Sequence, residues 1–149
     1  MSRVIVAFLI AAAVTFAAAS FAHTQMILNE LAAMGAPVTA GLRLSQGIAD
    51  MAGLLGSGSP PGIFAAIIAA GLAVAFPVAG LVARIAPGLR WFVFMVAGAV
   101  AMFVVFAALK STLGTVGLFG ARGTMGLALQ MGAGALGGLV FSALKPRPE

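Results

Sequence analysis

The chain has 149 residues, 62% hydrophobic and 7% charged, with a net charge of +5, no cysteine and a mean hydropathy of +1.18. A soluble domain carries about 25% charged residues, so a water-soluble globule is excluded, and the lack of thiols excludes disulfides, thiolate metal sites and cysteine nucleophiles. The eight Lys and Arg stand singly around the ends of apolar runs and form no stripe that could follow phosphates, which excludes a nucleic-acid binder.

Four runs contain no charged residue and no histidine: Val4–Ala22, Gly62–Ala83, Trp91–Leu109 and Gly123–Leu144, of 19, 22, 19 and 22 residues. Crossing roughly 30 Å of hydrocarbon at about 1.5 Å per residue takes about 20 residues. The expected fold is therefore all-α: an integral membrane four-helix bundle in one domain over 1–149, with a short amphipathic helical segment on the outer face at 23–61.

Run 1 follows Arg3 and ends near Ala17-Ala18-Ala19 and Ser20-Phe21-Ala22, small residues that also suit a secretory cleavage site. Cleavage after Ala22 would make His23 a copper-chelating N-terminus. The run is longer than a usual signal core of about 7–15 residues, so an uncleaved span is expected. His23 lies where this helix leaves the membrane, on one helical face with Glu30. With no second His and no Cys it cannot complete a zinc or copper site alone, and it reads as an interfacial histidine. Helix 1 should continue past the surface until Gly35-Ala36-Pro37 stops it.

Thr39 can cap a second helix reaching to about Leu55. Leu44, Ile48, Met51 and Leu55 share one of its faces, with Arg43, Gln46 and Asp50 on the other. This segment should lie flat in the outer interface or cover the ends of the spans, as a lid or a docking surface. Gly56-Ser57-Gly58-Ser59-Pro60-Pro61 then breaks the chain.

Pro77 falls inside run 2, a site for a bend that membrane helices tolerate. Ala86-Pro87-Gly88 makes a tight turn into run 3, where Trp91 beside Arg90 is a surface anchor. Phe92, Phe94, Phe103 and Phe106 read as packing or lipid-facing residues.

Gly114, Gly117, Gly120, Gly123 and Gly126 recur every third residue, a period that does not stay on one α-helical face. They predict a compact loop over 111–120, with Thr124 capping helix 4. Thr115–Gly120 resembles the Thr-Val-Gly-Tyr-Gly filter of potassium channels, but carries one extra residue and lacks the following acid. Only four residues separate Lys110 from Thr115, too few for a pore helix. In run 4, Gly134/Gly138 form a GxxxG, and Ala128/Gly132 a second small-residue pair. Both favour close helix packing, within the chain or between chains.

Thr15, Ser20, Gln130 and Ser142 are the polar side chains well inside the runs. Gln130 is the costliest there. Arg122 precedes it by about two turns on nearly the same face, a pairing that can hold an anionic headgroup or a quinone carbonyl. No acid or base sits within a run, which argues against proton or ion transport. No nucleophile–base pair or phosphate loop is recognisable.

Starting from a cytoplasmic N-terminus, Arg3, Arg84, Arg90, Lys145 and Arg147 fall inside. Arg43, Lys110 and Arg122 fall outside with Glu30 and Asp50. The bias agrees with the positive-inside rule and puts both termini in the cytoplasm. The expectation is a small non-enzymatic protein of a bacterial inner membrane without cofactor. It would be an accessory subunit or a self-associating bundle, with the bilayer and other membrane subunits as partners. The alternatives are a small transporter or channel for a neutral or lipophilic solute, and a lipid- or quinone-binding protein.

Overall fold

The computed structural model describes residues 2–56, 62–113 and 123–145. The fold is all-α. Four helices are long and apolar enough to cross a bilayer: α1 (Ser2–Ala33), α3 (Ile63–Ile85), α4 (Arg90–Leu113) and α5 (Thr124–Leu144). The shorter α2 (Ala40–Gly56) lies between the first two. The chain is a multi-pass membrane protein. Helices suit this solvent because each satisfies its own backbone where no water is available.

The stop after α1 and the start of α2 have identifiable caps. α1 runs 32 residues, about 48 Å at 1.5 Å per residue, so it outreaches the hydrocarbon. It ends in a Schellman motif: Gly35 takes φ 90, its N–H donates to Ala32 O (3.0 Å), and Ala36 N–H donates to Leu31 O (3.1 Å). Thr39 caps α2 as expected, its Oγ1 accepting from Leu42 N–H at 3.2 Å. A single 3₁₀ turn, Pro87–Leu89, joins α3 to α4 and makes them antiparallel neighbours. At the start of α5 the expectation needs correcting. Gly123, at φ 97, occupies the cap position and Thr124 is the first helical residue. The positive φ favours glycine over threonine there. Of the period-3 glycine track, residues 114–120 lie outside the described residues, as do 57–61 of the break before α3.

α5 is the hub. Its most extensive contacts are with α4 and then α1, while α3 packs mainly on α4. Phenylalanines fill the interior in two groups. Towards the α2 end, Phe64 lies 6.0 Å from Phe16 and 6.4 Å from Phe106. Towards the other end, Phe76 stacks on Phe141 at 4.4 Å, with Phe94 and Phe8 edge-on at 5.9 and 6.3 Å. Phe94 and Phe106 are thus core, whereas Phe92 and Phe103 are exposed. Pro77 is exposed on α3, which continues through it as one helix.

α2 turns Arg43 and Asp50 of its polar side towards α1, while Gln46 is exposed. Arg43 Nη1 donates to Gln25 Oε1 (3.0 Å) and Asn29 Oδ1 (2.8 Å), and Thr24 Oγ1 donates to Asp50 Oδ2 at 2.8 Å. Phe21 packs where a side chain on Gly47 would stand. Met51 and Leu54 reach the core, but Leu44, Ile48 and Leu55 are 50–60% exposed. Such a face is inside out for water and suited to lipid.

Candidate functional site

The glycines of α5 do not all do the same thing. A Cβ on Gly138 would run into the Phe94 carbonyl of α4, and one on Gly134 into Gly98 O, with Gly98 equally crowded by Gly134. Gly137 faces the other way, where a Cβ would meet Thr15 Oγ1 and Ala11 O of α1. These positions let backbones touch, which is how helices gain dispersion contact in lipid. The Gly134/Gly138 pair therefore packs within the chain, on α4. The Ala128/Gly132 pair does not share that seam: both residues are exposed, and nothing lies within 4 Å of a Cβ on Gly132. Gly98 and Gly137 escape a motif search. Gly98 is a lone glycine in α4, and only the doublet Gly137-Gly138 signals that α5 offers two smooth faces.

Gln130 is fully buried between α5 and α1, where its Nε2 donates to Ala19 O at 3.1 Å. Its Oε1 and the neighbouring Ser20 hydroxyl have no protein partner. Thr15, also buried, donates to Ala11 O at 2.9 Å. Gln130 thus knits two helices, and Arg122 lies outside the described residues. His23 is half-buried, and the carboxylate acting on it is Asp50 of α2. Glu30, expected beside it, is exposed.

An open groove of about 1120 Å³ runs between α3 and α4 on the outside of the bundle. It extends from Ile63 and Thr112 at one end to Val82 and Phe92 at the other. The helical stretch from Ile63 to Val82 is about 28 Å long, the thickness of the hydrocarbon. Its more buried lining mixes small and branched residues, Gly71, Ala75 and Ala79 on α3 and Val93, Ala97, Ala101 and Val105 on α4, and Val74, Val78, Val96 and Val100 are exposed along it. Among the described residues Thr112, at one end, is its single polar lining residue. The rest of the described lining can receive hydrocarbon but offers no group to orient a polar solute. Gln130 does not line it.

A second feature sits at the bundle end opposite α2. Lys145 Nζ lies over the Phe94 ring (5.2 Å) and the Phe141 ring (5.6 Å), and Arg90 Nη2 donates to Lys145 O at 2.6 Å. Arg84 closes α3 at the same end, and Arg3 lines a pocket of about 260 Å³ that reaches Leu144. The described carboxylates, Glu30 and Asp50, are both at the other end. No known protein family matches the chain, and no curated protein or solved structure is similar to it.

Proposed function

We propose that the protein is a non-enzymatic accessory subunit of a larger membrane assembly, and that the α3/α4 groove receives one transmembrane helix of another protein. The observation behind this reading is the groove itself. It is as long as the hydrocarbon is thick, and its apolar lining, rich in Ala and Val with Gly71 among them, offers a surface against which another helix can pack in lipid. Of the small-residue positions on α5, Gly134 and Gly138 are taken up by α4 and Gly137 by α1, while Ala128 and Gly132 stay open on the surface as a second, narrower place for a neighbour. A transporter built around Gln130 is less favoured, because that amide is committed to Ala19 O.

The expected home is a bacterial inner membrane with the Lys145 end in the cytoplasm. Arg3, Arg84, Arg90 and Lys145 lie at that end, against Arg43 and Lys110 at the other, a bias of the positive-inside kind. Labelling of Leu89→Cys from the cytoplasmic side and of Met34→Cys from the opposite side tests that orientation.

Single cysteines test the groove, since the chain has none of its own. Val74→Cys and Val100→Cys should each crosslink in native membranes to the same single polypeptide, and Leu9→Cys on exposed α1 should not. An adduct of twice the chain's own mass would make the groove a homodimer seam. Equal adducts from all three positions would sink the proposal.

A further inference from the structure

Cations at a helix end normally snorkel outward one at a time. Lys145 does the opposite. It curls back over the end of the bundle, where its Nζ lies over two phenylalanine rings and 3.3 Å from where a Cβ on Gly80 would stand. Any larger residue at 80 would crowd the ammonium. Arg84 follows Gly80 by one turn of α3, on nearly the same face. Arg90 lies across the floor, its guanidinium carbon 6.0 Å from the Phe94 ring and its Nη2 on the Lys145 carbonyl. Burial, and then the Arg90 and Arg84 charges, lower the Lys145 pKa from its ordinary value. The Lys145 ammonium, held over two rings with Arg84 nearby, presents a paired positive charge that suits an anion.

We infer that Lys145 and Arg84, framed by Gly80 and the Phe94 and Phe141 rings, form a headgroup site for the phosphate of an anionic phospholipid. The location selects the ligand. The site lies where three spans end, beside Trp91, at the depth where lipid phosphates sit. Basic pockets between helix ends are a recurring way to hold such headgroups. The site is independent of the α3/α4 groove and does not need a protein partner there.

Trp91 is the only tryptophan and the chain has no tyrosine, so intrinsic emission reports this end alone. The purified full chain would be placed in nanodiscs of zwitterionic phosphatidylcholine containing 10 mol% of lipid with brominated tails. The brominated lipid is either phosphatidylglycerol or phosphatidylcholine. Brominated phosphatidylglycerol should quench Trp91 as though enriched on the order of fivefold over its bulk fraction, and brominated phosphatidylcholine as though unenriched. The double variant Arg84→Gln/Lys145→Gln should lose the preference. Gly80→Leu should weaken it at unchanged net charge, which separates a shaped site from diffuse attraction. Lys110→Gln, at the other end, should leave it intact. Each variant must keep the parent's emission maximum and elution volume in phosphatidylcholine alone. If the two brominated lipids quench the parent equally, or if the double variant keeps its preference, the site does not exist.

Discussion

α4 is packed on two sides in two different ways, and the contrast explains much of the molecule. Towards α5 it presents Phe94, Gly98 and Met102, and there the helices meet backbone to backbone. Towards α3 it presents Val93, Ala97, Val100 and Val104; the two helices touch where Val105 meets Gly71, and the outer side of their seam stays open as a groove. Both surfaces are apolar, so a hydrophobicity scale does not tell them apart. In lipid apolarity does not hold helices together; close approach does. The glycine seam is a finished contact, and the valine-rimmed groove is one that lipid or another helix must complete.

Substitutions can break that contrast. The largest loss is expected from Gly138→Leu, whose side chain has only the Phe94 carbonyl to enter. α5 should separate from α4, and the variant should lose its unfolding transition in detergent. A normal transition would mean that the seam carries no stability. Phe76→Ala removes the ring stacked on Phe141 at 4.4 Å and should cost about 3 kcal/mol in a reversible unfolding titration. Gly134→Ala and Gly132→Ala make the finest pair. The first pushes a methyl against Gly98 O and should cost about 1–3 kcal/mol. The second meets open space and should stay within about 0.5 kcal/mol of the parent. Equal effects would erase the distinction between the two faces. Gln130→Leu loses one bond to Ala19 O and also removes an unpartnered Oε1, so a change on the order of 0.6 kcal/mol is expected. Val100→Trp, on the groove rim, should leave unfolding unchanged within about 0.5 kcal/mol while abolishing the crosslink from Val74→Cys.

The spans were legible because hydrocarbon thickness sets their length, and the caps because Gly35-Ala36-Pro37 and Thr39 have few other uses. The pairing of helices was less so. Gly134/Gly138 announced a close contact but not its partner, because a lone Gly98 leaves no periodic mark. Ala128/Gly132 looked equivalent by spacing and is not, since a helix has several faces and spacing alone does not say which one meets a neighbour. The inward turn of Arg43 and Asp50 on α2 was hidden for a related reason. Amphipathicity tells that two faces differ, whereas the solvent decides which faces in. Lys145 could have been noticed from its place four residues after Phe141, an (i, i+4) cation–ring spacing. The groove has no sequence signature at all, because it is the space that two valine-rich helices leave between them.

The central position of α5 has a consequence for how the protein is made. The ribosome delivers α5 after the other described helices, yet its two faces carry the closest contacts among them, to α4 and to α1. α1, α3 and α4 can each enter the bilayer on their own apolarity, but until α5 arrives they have only α3's looser contacts in common. A chain stopped at Leu113 is expected to insert with normal topology and still be cleared by membrane quality-control proteases. The close packing of these spans thus waits for α5, which joins α4 to α1 through its two faces.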